Sequence, residues 1–268
     1  MKLVQMKYTR ITLFLLMLLA LVGCQGRQKT LPSTTIFVTV SPYDMLVQRI
    51  VGQTAEVKAV VPPGGDLHTY EPTPKMVAQM RNGDLWITIG EPIEKAIPFK
   101  ERFTLSGGDT EDHHYWMSPA VVKVQMRAVT KKLSELYPNN YDLYQENLAE
   151  LEDELTLLQR ELHAILDPIA GATFIINHPA LNYFCEEFDL IQLSIEEHGK
   201  SPHPGHLENL LKEAKEQRAR CVLVQEGGDS RGAKLIAKRL VIPIHYFDTN
   251  APDYFKNLLS IARDIRSQ

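Results

Sequence analysis

Tyr144-Gln145-Glu146-Asn147-Leu148-Ala149-Glu150-Leu151-Glu152-Asp153-Glu154-Leu155-Thr156-Leu157-Leu158-Gln159-Arg160-Glu161-Leu162-His163-Ala164-Ile165 is the longest periodic run in the chain. Tyr144, Leu148, Leu151, Leu155, Leu158, Leu162 and Ile165 fall alternately four and three residues apart, which gathers them into one apolar stripe on a helix. Pro138 and Asn139 mark its start, and Asp167-Pro168 marks its end. At the helical rise per residue, a helix over Pro138–Leu166 is roughly 43 Å long. That length can run down the side of two lobes. The spacing also fits a coiled-coil dimer, but the stripe lasts only about three heptads and the flanking segments need a cover. The pattern therefore predicts a rigid connector packed against both neighbours.

On either side of this helix, strands and helices alternate. Upstream, Ile36–Val40 is β-rich, Tyr43–Val51 is amphipathic, and Glu56–Val61 is a second strand stopped by Pro62-Pro63-Gly64-Gly65. A helix over Pro74–Arg81 and a strand over Leu85–Ile89 follow, closed by Gly90. The stretch from Glu91 to Leu105 is short, which leaves the first lobe small. Downstream, strands at Thr173–Ile176, Ile191–Ile195, Val222–Gln225 and Ile244–Phe247 alternate with helices at Pro179–Phe188, His206–Arg218, Gly232–Arg239 and Asp253–Ile265. Such alternation predicts an α/β fold: two parallel-sheet lobes joined by one long rigid helix. The predicted boundaries are 36–137 for the N-terminal lobe, 138–166 for the connector and 167–268 for the C-terminal lobe.

The first residues speak to location. Lys2, Lys7 and Arg10 precede an apolar run, Ile11–Val22, that is too short to span a bilayer comfortably. Residues 1–23 are expected to be a secretory signal peptide, outside the fold. The run ends in Leu21-Val22-Gly23-Cys24, which resembles the lipobox of bacterial lipoproteins. That resemblance implies cleavage before Cys24 and lipidation of its sulfur, with residues 24–35 as a polar tether. The expected product is extracytoplasmic and membrane-anchored, in the periplasm or at the cell surface, with a soluble mature domain. Without Lys2, Lys7 and Arg10 the formal net charge moves from −4 to −7. No basic stripe remains to bind nucleic acid. Cys185 and Cys221 are then the remaining cysteines. They are either a disulfide, which an exported protein permits, or two buried thiols. Neither sits in a CxxC spacing that would argue for structural zinc.

Three histidines carry the chemistry. His68 lies in Gly64-Gly65-Asp66-Leu67-His68-Thr69-Tyr70-Glu71-Pro72, His114 in His114-Tyr115-Trp116-Met117-Ser118-Pro119, and His178 in Asn177-His178-Pro179-Ala180-Leu181-Asn182-Tyr183-Phe184. Each follows a turn-prone or strand-like stretch and precedes a helical one. Imidazoles at such helix entrances, flanked by aromatics that exclude water, suit a borderline transition metal.

Two α/β lobes, one long helix, a lipobox and these three motifs together resemble the metal-binding lipoproteins of ABC importers. This is the cluster of zinc, manganese and iron solute-binding proteins that includes the zinc-importer receptors. The similarity covers nearly all of the mature chain. It implies that His68, in its His-x-Tyr-Glu-Pro setting, is the first ligand. It implies that His114 rather than His113 is the second and His178 the third. The family's fourth ligand is a carboxylate after the last strand, a place that Asp248 fills. The implied site lies between the lobes, and the implied partner is an ABC permease that takes up the ion. The expected receptor is a monomer and not an enzyme.

The donor set supports the same expectation. Three neutral imidazoles and one carboxylate offer nitrogen that zinc accepts readily, whereas manganese prefers more oxygen. The expected ion is Zn2+, with Mn2+ or Fe2+ as alternatives. The chain lacks the long His- and acid-rich loop that zinc-specific members often carry before the second ligand. Only Gly107–His113 occupies that place, and His113 is expected to be a solvated neighbour. His198, His203 and His206 form either an auxiliary metal site or, as favoured here, an exposed loop before a helix. Glu226 competes with Asp248 for the fourth position. His163 and His245 are expected to be structural. A secreted zinc hydrolase would use similar residues, but there is no His-Glu-x-x-His and four protein ligands would close the site. A surface adhesin with a structural metal is the other alternative.

Overall fold

Strand β1 (Thr34–Val40) begins two residues before the expected start of the N-terminal lobe, inside the expected tether. Thr34 and Thr35 pair with Ala55 and Glu56 of β2 (Ala55–Val61), and this backbone pairing outweighs the polar character of the segment. The computed structural model describes residues 34–106, 112–196 and 203–267. The signal segment, Cys24, residues 107–111 and His198 lie outside the described residues.

The N-terminal lobe continues through α1 (Ser41–Val51), α2 (Pro74–Met80), β3 (Leu85–Thr88), α3 (Pro92–Ala96) and β4 (Arg102–Thr104). The sheet is parallel throughout, in the order β2-β1-β3-β4. The short stretch after Gly90 thus holds one more helix and an edge strand, although only three residues of β4 are paired. Next comes α4 (Pro119–Leu136), a helix not among the expected elements. Its start is well marked: the Ser118 side chain accepts a hydrogen bond from the Val121 N–H, and Pro119 takes the first turn.

The connector is α5 (Tyr141–Leu166), preceded by a 3-10 turn over Pro138–Asn140. Proline fits that tight turn, so the regular helix starts three residues later than the pattern suggested. Tyr144, Leu151, Leu155, Leu158 and Leu162 of the stripe are buried, while Leu148 and Ile165 are partly covered. The stripe is consumed inside the chain: α5 packs on α1 and α4 of the first lobe and on the terminal helix of the second. This covers the face that a coiled coil would have needed.

The C-terminal lobe repeats the plan with β5 (Thr173–Ile176), α6 (Asn182–Phe188), β6 (Ile191–Ser194), α7 (Pro204–Glu216), β7 (Val222–Gln225), α8 (Arg231–Leu240), β8 (Ile244–Phe247) and α9 (Tyr254–Arg266). Its strand order, β6-β5-β7-β8, reproduces that of the first sheet, again all parallel. Alternate residues of each central strand serve two cores. Ile36, Val38, Val40, Phe174 and Ile176 join one cluster that includes the α5 stripe. Phe37 and Trp86 pack on the outer face of the first sheet, and Ile175, Val222 and Val224 on that of the second. Central strands buried on both faces explain the nearly continuous apolar runs in the sequence. Cys185 and Cys221 are buried, free thiols, so the disulfide alternative is set aside.

Candidate metal centre

In parallel α/β sheets, ligands bind beyond the carboxyl ends of the strands, where the order of strands switches direction. His68 follows β2, His178 stands two residues past β5, and Asp248 directly follows β8. His114 comes after β4 and caps a 3-10 turn over Tyr115–Met117. Both lobes therefore contribute from the same kind of position.

Local structure fixes each imidazole. Asp66 accepts hydrogen bonds from the His68 N–H at 2.9 Å and the Thr69 hydroxyl at 2.8 Å, and buried Leu67 anchors the loop. His114 is held by its aromatic neighbour: Trp116 is buried and its Nε1–H donates to the Thr249 carbonyl at 2.6 Å. His178 sits beside Asn177, whose side-chain oxygen accepts from the Gln225 N–H at 2.8 Å. The result is a cluster with ring centroids 5.1 to 5.4 Å apart. One nitrogen from each of His68, His114 and His178 lies within 4.8 Å of the others. A tetrahedral zinc ion needs its nitrogen ligands about 3.4 Å apart, so modest closure brings them to bonding distance.

A carboxylate attends each ring, always on Nδ1. His114 Nδ1 is 2.7 Å from Asp112 Oδ1, and His178 Nδ1 is 2.9 Å from Glu196 Oε2. His68 Nδ1 is 3.4 Å from Glu91 Oε2. An imidazole that donates through Nδ1 is left with a lone pair on Nε2, the arrangement that metal-binding histidines use. The Glu91 hydrogen bond holds His68 above the usual histidine range, against the opposing pull of burial. Burial pushes His114 below that range, although Asp112 opposes the shift. Burial alone would raise the Asp112 and Glu91 carboxyls, but their histidine partners outweigh it and hold both below the ordinary values.

The remaining sequence candidates fall elsewhere. Asp248 is half-buried at the lobe junction, with Oδ2 accepting from the Gly64 N–H at 2.9 Å and Oδ1 from the Asn250 N–H at 2.8 Å. Among the described residues, the close group of potential ligand atoms holds the three histidines without Asp248. Glu226 is exposed and, with His68, His178, Asp66 and Glu196, lines an open cleft of about 530 Å³ beside the cluster. His113 is not a solvated neighbour: its Nδ1 meets Glu91 Oε1 at 2.8 Å. His203 caps α7 by accepting from the His206 N–H, and His206 Nε2 lies 3.1 Å from the Ser194 carbonyl, the arrangement expected of a loop entering a helix. His163 pairs with Asp167 and His245 with Asp264, both away from the cluster. The attending carboxylates were missed in the sequence, although Glu91 and Glu196 stand just after strand ends and Asp112 two residues before a candidate ligand.

Two parallel lobes on a single long helix, with candidate ligands gathered from strand ends of both, define a two-lobed solute-binding receptor rather than an enzyme. Residues 36–268 match the family described as zinc-uptake complex component A, periplasmic (ZnuA), and the chain belongs to that family. A Chlamydia trachomatis serovar D protein with a provisional metal-binding name is 30% identical over 268 residues, covering 93% of this chain and 97% of that one. The manganese ABC transporter substrate-binding lipoprotein PsaA of Streptococcus mitis is 25% identical over 272 residues, 87% of each chain. Among solved structures, a zinc-bound ZnuA deletion mutant superposes with a TM-score of 0.79 at 30% identity, covering 87% of this chain and 97% of that one. Family membership makes this chain a metal-binding receptor of an ABC importer.

Proposed function

We propose that the chain captures Zn2+, in preference to Mn2+ or Fe2+, between its lobes and delivers it to an ABC permease. His68, His114 and His178 are the nitrogen ligands in this reading, and Asp248 is the fourth. The observation that carries it is the shared pattern of the three rings, each with Nδ1 toward a carboxylate and a second nitrogen left for the ion. Three imidazoles favour zinc over manganese, which seeks a more oxygen-rich set. Asp248 already accepts two backbone hydrogen bonds, yet an ionised carboxylate retains lone pairs for a cation. Its bond to Gly64 also ties the β8 end to the loop that leads to His68. In the same reading Cys24 carries a lipid that holds the receptor, as a monomer, at the outer face of its membrane.

Capture needs no covalent chemistry. The carboxylates keep the rings in one tautomer, the buried aromatics exclude water, and the acidic cleft attracts the cation. Titration of metal-stripped protein with zinc and manganese in competition tests the proposal. One tight equivalent of zinc is expected, and His178→Ala should lose at least tenfold in affinity by removing a ligand. Tight manganese with weak zinc would overturn the choice of ion, and no tight binding of either would overturn the receptor reading.

A further inference from the structure

Glu91 is the most deeply buried acid at the site, at 2% exposure, yet no ligand motif includes it. Its two oxygens serve two imidazoles. Oε1 lies 2.8 Å from His113 Nδ1, and Oε2 lies 3.4 Å from His68 Nδ1. His68 is the proposed ligand most open to solvent, with its side chain 41% exposed, so its ring has the least packing to orient it. His113, in contrast, is fastened on several sides. It precedes buried His114, stacks edge-on against Tyr115 at 5.8 Å, and lies over Gly90.

The backbone around Glu91 is built for this contact. Gly90 adopts φ +100°, and a Cβ there would stand 3.3 Å from His113 Nε2. Glu94, itself buried, accepts hydrogen bonds from the Ile89 and Gly90 N–H groups at 2.8 Å each. It thereby fixes the turn that aims Glu91 inward. A buried carboxylate is stabilised only when its lone pairs are engaged, and here the two histidines supply the engagement.

We infer that Glu91 is a positioning residue for the metal centre: it orients His68 through Nδ1, and His113 in turn holds Glu91. The inference rests on the proposed role of His68 as a ligand. Glu91 is not among the proposed ligands, because its two oxygens are turned to the Nδ1 atoms of His68 and His113. The pair also links two parts of the site. Because His113 and His114 are consecutive, the carboxylate ties the His68 loop to the segment that supplies the second ring.

The test uses the full chain in detergent, stripped of metal, with zinc competed against a chromophoric chelator. Glu91→Ala should weaken zinc by roughly 10- to 100-fold, the usual effect of removing a partner of a ligating histidine. Glu91→Gln keeps the shape but removes the charge and leaves a single acceptor oxygen for the two rings, and should fall between wild type and Ala. His113→Ala should weaken zinc in the same direction and add little when combined with Glu91→Ala, because both act through one contact. Two readouts separate positioning from other roles. The visible absorption of the Co2+-loaded protein should keep its band positions in Glu91→Ala, since the ligand set is unchanged. The 15N signals of His68 should show an Nδ1–H tautomer in wild type and a mixture in the variant. Zinc affinity within twofold of wild type, or a cobalt spectrum showing a lost ligand, would overturn the inference. If Glu91→Ala does not fold, Glu91→Gln and His113→Ala carry the same test. Wild type that takes up no tight zinc would instead sink the receptor reading on which the inference rests.

Discussion

A histidine becomes a metal ligand through its second nitrogen, and at this site that nitrogen is set by residues far away in sequence. Asp112 is close to His114, but Glu196 is 18 residues from His178 and Glu91 is 23 (91 − 68) from His68. The three rings were legible because aromatic and proline neighbours marked them. The distant carboxylates were not, since only the folded strand ends bring them together. The cysteines illustrate the same limit. Their spacing left bond and thiol open; the fold keeps the two sulfurs unbonded, as thiols that burial pushes up to about 12. A raised thiol pKa keeps the sulfur protonated and unreactive at pH 8. Cys185 and Cys221 should therefore resist a disulfide reagent in the native protein at pH 8 and react fully in denaturant. Rapid native labelling of either would contradict the burial described here.

Among the elements, α5 was the most visible in the sequence because a helix shared by two lobes must carry one unbroken apolar stripe. Leu157, off that stripe, is 56% exposed, whereas Leu155 is fully buried in the core that both lobes share. Leu155→Ala should therefore cost about 2–5 kcal/mol by leaving a cavity that helices on two sides cannot collapse into. Denaturant unfolding checks this, and a change below about 0.5 kcal/mol, the range of surface substitutions, would show that the stripe is not a packed seam. The helix α4 was legible too, though not among the expected elements: Val122, Met126, Val129 and Leu133 recur at helical spacing and are buried, behind the cap at Ser118-Pro119. The edge strand β4 is too short, at three residues, to leave a periodic trace.

For the whole molecule, both lobes use one strand order, so the ends of both sheets can supply ligands to a common centre. Polar contacts join the lobes around it. Asn250 accepts from the Ser41 N–H at 2.7 Å and donates to the Pro62 carbonyl at 2.6 Å, while Asn182 donates to Asp112 at 2.8 Å. The last of these reaches from α6 to the carboxylate that orients His114. Ion release in the proposed delivery step thus involves the same groups that hold the lobes together. Strand–helix alternation made the two-lobed plan legible in the sequence, whereas the identity of the junction residues depended on how the loops meet. Zinc-edge X-ray absorption on protein loaded with one equivalent tests the central claim most directly. The account predicts three imidazoles and one oxygen at about 2.0–2.1 Å, the distances of four-coordinate zinc. Two or fewer imidazoles, or a sulfur ligand, would contradict it.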